Sequence, residues 1–262
     1  MIAPRSLPAL RRTRRAWILI LLAALAAPAG ADLVVTRNVR ADRFARPAAE
    51  GAASACPSRA ERPQSGENVK LSVAPRRARR DEAALSFIVD LEARRAYIVD
   101  HRARSYSELT FPVRTTELAG PMRAGLGAEG DRLFAYRRLG RVYESVSNRE
   151  GASRVTRATR VGNGLGTELE VEVEVEPDAA LGQAALAVEA FAQAVRGSGE
   201  SWLAALELPA GVPLGLVEEL QLPDSAVRYR EGAAVTEAAQ LDPALFAPPA
   251  GFTKTAHRPE CF

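Results

Sequence analysis

Alternating hydrophobic and polar residues predict β-structure along most of this chain. Three short runs rich in β-branched and aromatic residues, at 85–91, 96–101 and 105–110, are joined by short polar connections. This arrangement is typical of an antiparallel meander. The first two runs are apolar on both faces. We therefore expect a helix to cover one face, and either further core or a ligand to cover the other.

Other strands are predicted on both sides of the meander, and loops interrupt them where small residues, proline or arginine accumulate. The predicted strands are 32–40, 69–74, 134–146, 212–217, 226–230 and 233–239. Residues 41–66, rich in Ala, Pro, Gly and Ser, predict a long flexible loop, and Arg76 to Arg80 predict a solvated turn. A short helix is predicted within 114–127.

An arginine-rich strand and a glutamate-rich strand are predicted to form a hairpin. Residues 154–161 lead through Gly162-Asn163-Gly164 into 168–176, where glutamates alternate with Leu and Val. Asn-Gly supplies the positive φ angles that hairpin turns need, and opposite charges on neighbouring strands attract. Glutamates two apart along a strand lie about 6.6 Å from each other. A calcium ion needs ligands within about 2.6 Å, so we expect a solvated face and no metal site.

One helix is predicted with a clear apolar stripe, from Asp178 to Arg196. Asp178 can cap its start and Gly197 can end it. We expect the stripe to lie on the sheet. Its members recur at helical spacing and are Leu181, Ala184, Ala185, Val188, Phe191 and Val195.

The first 31 residues have the pattern of a cleavable export signal. Four arginines between Arg11 and Arg15 precede the apolar run 17–27, and Ala29-Gly30-Ala31 is typical of a cleavage site. The run is shorter than the roughly 20 residues that span a bilayer. We expect a mature periplasmic or secreted protein that begins at Asp32 and has no stable transmembrane segment; a retained anchor is the alternative. Arg14-Arg15 leaves both twin-arginine and general secretion open.

Removal of this leader changes the charge of the protein. The leader holds five of the 35 basic residues and none of the 32 acidic ones, so the mature chain carries a net charge of −2. The basic footprint of a nucleic-acid-binding protein is therefore absent. Residues 32–160 carry 25 basic and 16 acidic side chains, and 161–262 carry 5 and 16. Such opposite halves favour one domain over 32–262, although a basic face for anionic lipid or a partner remains an alternative.

The two cysteines, Cys56 and Cys261, are predicted to pair. Both would lie outside the cytoplasm after export, where thiols tend to form disulfides. The bond would fasten the predicted loop 41–66 to the C-terminal tail.

Several short segments resemble a known bacterial secreted family. They are Asp32-Leu33-Val34-Val35, the meander segments Phe87-Ile88-Val89-Asp90-Leu91 and Tyr97-Ile98-Val99-Asp100-His101 with Tyr106, and Phe246-Ala247-Pro248-Pro249-Ala250-Gly251-Phe252. The family is known as domain of unknown function 4412 and is distantly similar to the LolA/LolB lipoprotein carriers. The resemblance implies an α+β fold, in which helices cover the concave face of a curved antiparallel sheet, an incomplete barrel. Residues 114–150 and the loop 41–66 depart from the family pattern.

The resemblance and the two-sided apolar strands suggest a carrier or binder of an apolar ligand, such as lipid or lipoprotein acyl chains. The candidate lining is Phe87, Val89, Leu91, Ile98, Val188 and Phe191. The alternative is an envelope interaction or structural module whose apolar faces form a filled core and whose partner is another envelope protein.

Enzymatic chemistry finds little support in the sequence. His101 and His257 are the two histidines, and Asp100 and His101 are neighbours in a predicted strand, so their side chains point to opposite faces. Neither a G-x-S-x-G nucleophile turn nor an H-E-x-x-H metal helix occurs. We expect a non-enzymatic protein without a cofactor.

Overall fold

The computed structural model describes residues 32–44, 63–113, 118, 137–138, 143–149, 152–162, 168–196, 203–222 and 225–257. By its contacts the chain divides into residues 1–31 and residues 32–262. All the described residues belong to the second unit. The predicted export signal and both cysteines, Cys56 and Cys261, lie outside them, so the leader and the disulfide remain predictions.

Thirteen strands and three short or medium helices make up the described part of the chain. The strands are β1 (Asp32–Phe44), β2 (Asn68–Ala74), β3 (Arg77–Asp81), β4 (Leu85–Asp90), β5 (Arg95–Asp100), β6 (Ser105–Thr110), β7 (Arg137–Arg138), β8 (Tyr143–Arg149), β9 (Ala152–Gly162), β10 (Glu168–Pro177), β11 (Gly211–Leu222), β12 (Ser225–Ala239) and β13 (Thr253–Lys254). The helices are α1 (Gly182–Arg196), α2 (Leu203–Leu206) and a 3₁₀ helix (Pro243–Phe246).

All thirteen strands belong to one sheet in the order β13-β6-β5-β4-β3-β2-β1-β12-β11-β10-β9-β7, and β8 also pairs with β9. Every pairing is antiparallel except that of β13 with β6. The two end strands, β13 and β7, do not pair with each other, so the described sheet is open. The fold is therefore α+β and mostly β, with α1 packed on a largely antiparallel sheet.

The first strand lies in the middle of the sheet, between two meanders. β1 pairs with β2, which begins the meander β2 to β6, and with β12, which ends the meander β9 to β12. The three predicted strands of the first meander are confirmed as β4, β5 and β6, and the predicted hairpin is confirmed as β9 and β10. Its arginines and glutamates do face each other: Arg154 Nη1 lies 3.1 Å from Glu174 Oε1, and Arg160 Nη2 lies 3.2 Å from Glu170 Oε2.

One face of the sheet forms the main core with α1. The alternate apolar residues of β1 to β5 pack against the helix, together with Val212 and Leu214 of β11. The same face continues under α2, where Val171, Val173 and Val175 of β10 are buried. Burial of these alternate positions follows from the two-residue period of a strand.

The opposite face of β4 and β5 is covered by the segment that carries the 3₁₀ helix. Ile88 and Val99 are buried there against Phe246, with Leu245 and Phe252 packed beside them. The predicted cover on both sides of these strands is thus confirmed, since α1 covers one face and further core covers the other. Of the two possible covers for this second face, further core or a ligand, the described residues provide core side chains.

The start of α1 shows how its sequence fixes the helix on the sheet. Asp178 Oδ1 accepts hydrogen bonds from the backbone N–H groups of Ala180 and Leu181, at 2.8 and 2.9 Å. These bonds satisfy donors that a helix start leaves free. A Cβ at Gly182 would lie 2.1 Å from the backbone nitrogen of Gly211, so only glycine permits this close approach to β11.

Two sequence predictions about loops are wrong. The basic turn predicted from Arg76 to Arg80 is mostly strand β3, in which Arg79 and Arg80 are buried. Arg79 pairs with Asp81 of the same strand, and Arg80 pairs with Glu231 of β12. The flexible loop predicted for 41–66 begins too early. β1 continues to Phe44 because its pairing with β12 extends to Ala226, and residues 63–66 are described next to β2. Residues 45–62 lie outside the described part.

Other boundaries differ less. The strands predicted at 226–230 and 233–239 are one strand, β12, and the strand predicted at 134–146 is described only as β7 and β8. Of the helix predicted within 114–127, the described part includes Leu118, which is helical and buried. None of the described helices is long and apolar enough to cross a membrane.

Candidate functional site

The six predicted lining residues meet at the interface between α1 and the sheet. Phe87, Val89 and Ile98 come from β4 and β5, and Val188 and Phe191 come from α1; all five are at most 4% exposed. Leu91, just after β4, is partly buried against the same cluster. The structure thus brings all six together at one interface. The sequence pattern alone leaves open which face of the strands points toward the helix.

These side chains are buried together and pack against one another in one cluster. The rings of Phe87 and Phe191 pack edge to face, with their centroids 6.0 Å apart. Such a pair contributes about 0.5–1.5 kcal/mol beyond the burial of its area. Two surface cavities, of about 40 and 530 Å³, are lined largely by polar and charged side chains, and neither includes any of the six residues.

A cluster of buried charges lies beside this apolar interface, and sequence reasoning missed it. Arg80 of β3 contacts Glu189 of α1 at 2.8 Å and Glu231 of β12 at 2.5 Å. Arg37 of β1 forms an ion pair with Glu189, and its Nη1 lies 3.1 Å from a carboxylate oxygen of Glu231. We call Arg37, Arg80, Glu189 and Glu231 the ion cluster. Their side chains are at most 5% exposed.

Two further charges extend the ion cluster to the end of α1. Glu82, in the connection between β3 and β4, accepts a hydrogen bond of 2.7 Å from Arg80 Nε and also pairs with Arg196 in the last turn of the helix. The guanidinium of Arg196 lies 5.0 Å from the centre of the Phe87 ring, within the range of a cation–π contact. The helix is therefore joined to the sheet by ion pairs at its middle and at its end.

The charges on each side of the interface balance separately. The sheet and its connections contribute two arginines and two glutamates, and α1 contributes one of each; they are Arg37, Arg80, Glu82 and Glu231, and Glu189 and Arg196. A buried charge is costly unless it is paired. This balance explains why six ionised groups are tolerated in the core.

The surroundings keep two members of the ion cluster, Glu231 and Arg80, charged. Burial by itself would raise the pKa of Glu231, but the charges of Arg37 and Arg80, with hydrogen bonds from Arg80 and Tyr229, hold it well below 4.5. Burial would lower the pKa of Arg80, yet the charges of Glu189, Glu231 and Glu82 raise it well above its usual value. The Tyr229 hydroxyl donates to Glu231 at 2.6 Å, and burial and the charge of Glu231 raise its pKa. Glu231 and Arg80 therefore stay charged near neutral pH.

A second polar cluster lies on the other face of the sheet. Ser86 Oγ lies 2.6 Å from His101 Nε2, donates to Asp81, and accepts from Arg79 Nη2 at 3.1 Å. Because the single hydroxyl hydrogen goes to Asp81, His101 must itself donate to Ser86. Arg79 also donates to the carbonyl of Leu245 at 2.9 Å, which ties this cluster to the segment that covers the face.

The glutamates of β10 form the solvated ladder that the sequence predicts. Glu170 and Glu172 are exposed and the other glutamates of the strand are partly exposed, while the alternating Val171, Val173 and Val175 are buried. Within the described residues, no group of three or more His, Cys, Asp or Glu side chains could hold a metal ion.

Comparison with known proteins adds no assignment. The sequence matches no protein-family model, and no curated protein is similar to it. The resemblance to domain of unknown function 4412 therefore remains a prediction, and function has to be argued from the geometry.

We predict that removing the charge of Glu189 destabilises the protein strongly. In Glu189→Gln the two arginines of the ion cluster lose a partner while buried, which typically costs about 3–5 kcal/mol. Urea unfolding measures the free energy of unfolding. The control is Glu174→Gln, which breaks the half-exposed pair with Arg154 and should cost at most about 1 kcal/mol. Equal losses in the two variants would contradict a structural role for the cluster.

We also predict that Glu231 makes the protein sensitive to acid. Because the folded state holds the pKa of Glu231 below its usual 4.5, this carboxylate stabilises the fold above pH 4.5 and loses that contribution as the pH falls further. The free energy of unfolding, measured from neutral pH down to about pH 3, should fall less steeply in Glu231→Gln than in the original protein. Glu172→Gln, on the exposed ladder, should keep the original slope. A slope unchanged in Glu231→Gln would refute the assignment.

Proposed function

We propose that this is an exported, non-enzymatic envelope protein with a filled core, which interacts with another protein through the edge of its sheet. The observation that carries the proposal is the close packing of the interface beneath α1. Five candidate lining residues are at most 4% exposed and belong to one packed cluster. In this conformation the apolar faces form the core, so we place the binding of a partner at the surface of the protein.

For the sheet itself we propose the curved, incomplete barrel implied by the resemblance to LolA/LolB-like proteins, with α1 over the concave face. In support, α1 packs closely on β2, β3 and β4 and also on β11. In the strand order, β1 and β12 lie between these two groups. A helix that touches both groups at once favours a sheet that bends around it.

The proposal includes the absence of catalysis. Ser86, the one serine placed beside a histidine in the described part, is fully buried and donates its hydrogen to Asp81. A nucleophilic serine needs the histidine as its base, with a carboxylate that orients the histidine. Here the carboxylate contacts the serine. This arrangement fits a structural role that holds β3, β4 and the covering segment together.

The edge proposed for binding is the second half of β12. β11 pairs with β12 only as far as Gly232, and an extra residue, Ala234, interrupts the register with β1 at this point. Residues 233–239 therefore pair with β1 on one side and with no described strand on the other. Natural proteins usually protect such edges with lysine, proline or a covering segment. This edge lacks lysine and proline, and most of its residues are exposed.

We propose that an extended segment of a partner protein adds to this edge as a further strand. Strand addition draws its affinity from main-chain hydrogen bonds and its specificity from alternate side chains. The edge reads Ala-Ala-Val-Thr-Glu-Ala-Ala, so methyl groups dominate and a partner strand can approach closely. Glu237, the single charge, favours a partner with a basic residue opposite it.

The edge can be tested with a photo-crosslinking residue at Thr236 in living cells. We expect an adduct with another envelope protein that disappears in the double variant Ala234→Lys, Ala238→Lys, because both positions are exposed and lysine blocks edge pairing. Ala244→Lys, at an exposed position of the 3₁₀ helix, is the matched control and should keep the adduct. An adduct that survives in the double variant would refute the proposal that the partner binds at this edge. An adduct between two copies of this chain would show self-association and refute binding of a different protein.

A carrier of lipid or lipoprotein acyl chains is the second candidate. Its support is the convergence of the six lining residues, together with the charge balance at the interface. Since α1 and the sheet are each neutral within this network, the helix could move away without separating net charge. Burial of each acyl CH₂ contributes about 0.8 kcal/mol, so even part of a chain could bind in an opened interface.

Lipid binding separates the two candidates. For a filled core we predict that native mass spectrometry after gentle purification shows the empty protein, and that a fluorescent fatty acid is not taken up. Phe191→Ala, which removes a buried ring and leaves a cavity, should gain some uptake, whereas Val146→Ala, at a residue 60% exposed, should not. Lipid bound to the original protein would favour the carrier and contradict the filled core.

A further inference from the structure

The mature chain is predicted to begin at the same residue at which the central strand begins. β1 starts at Asp32, which pairs with Ala239 of β12. The next residue, Leu33, pairs with β12 on one side and with Val73 of β2 on the other. No spacer therefore separates the predicted cleavage site from the sheet.

The first residues of β1 are also fixed by other contacts. The carboxylate of Asp32 accepts a hydrogen bond of 2.8 Å from the backbone N–H of Leu241. Val34 is 8% exposed and Val35 is fully buried in the main core. Freeing this stretch means breaking pairing with two strands and exposing core side chains.

A peptidase needs an accessible segment whose backbone is not paired with other strands. Peptide-bond cleavage acts on chain segments that are locally unfolded, and its rate follows the fraction of molecules in which the segment is open. The residues after the scissile bond must occupy the enzyme as an extended chain with free backbone groups. In the folded protein the backbone of Leu33 is already paired on both sides.

We propose that the leader is removed before β1 joins the sheet, and that the chain therefore crosses the membrane unfolded, by general secretion and not by the twin-arginine route for folded proteins. This inference rests on the proposed export. The step is a hydrolysis: a leader peptidase cleaves the bond between Ala31 and Asp32 with one water molecule, which leaves a carboxylate on Ala31 and a new α-amino group on Asp32.

The test compares the folded and unfolded full-length precursor, solubilised in detergent, as substrates of purified leader peptidase. We expect precursor freshly diluted from urea to be cleaved at least about tenfold faster than the folded precursor, because folding closes the site. Cleavage is followed by gel and by the N-terminal sequence of the product. Equal rates for the two states would overturn the inference.

A spacer variant provides the matched control. It repeats residues 32–34 after Ala31 and continues with eight Gly and Ser residues before the native Asp32, so the residues around the scissile bond are unchanged. Folded spacer precursor should be cleaved as fast as the unfolded precursor. A spacer that gives no acceleration would overturn the inference, since the sheet would not be the obstacle. If even unfolded precursor and spacer variant resist cleavage, the leader itself is refuted, and with it the proposed export.

In cells, Arg14→Lys with Arg15→Lys keeps the positive charge of the leader but removes the arginine pair that the twin-arginine route reads. We expect export and cleavage to be unchanged. Two results together would overturn the inference: the variant is no longer exported, and the unsubstituted protein is still exported when general secretion is inhibited.

Discussion

The packing of α1 on the sheet depends on the neutralisation of two buried arginines. Arg37 and Arg80 point from the sheet into the space beneath the helix, where an unpaired charge would be intolerable. Glu189 reaches them from α1 and Glu231 from β12, so these carboxylates neutralise the two arginines where the helix packs on the sheet. A buried ion network adds little net stability compared with apolar side chains, but breaking it is costly. The ion network therefore determines the position of α1 on the sheet more than it adds to the stability of the fold.

This constraint limits what the interface can do. The apolar side chains around Phe87 and Phe191 fill one part of it, and the ion cluster occupies another. A hollow that carries acyl chains would place methylenes next to Arg37, Arg80 and Glu231, which belong to the sheet and stay there even if the helix moves. The same residues that suggest a ligand site in the sequence therefore act as core in this conformation. We therefore propose the half of β12 that has no second neighbour among the described strands as the place for a partner.

Local patterns allowed the strands of the meander, the β9–β10 hairpin and α1 to be predicted from the sequence. The period of two also places Arg37 on the inward side of β1, in line with Leu33 and Val35, and Glu189 lies within the apolar stripe of α1. These two charges inside apolar patterns were the available signal for the ion cluster. Their partners could not be predicted, because Arg37 and Glu189 are 152 residues apart and Arg80 and Glu231 are 151 apart. Without its distant partners, Arg80 was predicted to lie in a solvated turn.

The position of β1 also has a consequence for the order of events during synthesis. Asp32 and Leu241 are 209 residues apart, yet they are hydrogen-bonded, and β1 has its longest pairing with the last long strand. Contacts between such distant parts of a chain form slowly. The middle of the sheet cannot close until nearly the whole polypeptide has left the ribosome. Until then β1 can pair only with β2, and its other edge stays open.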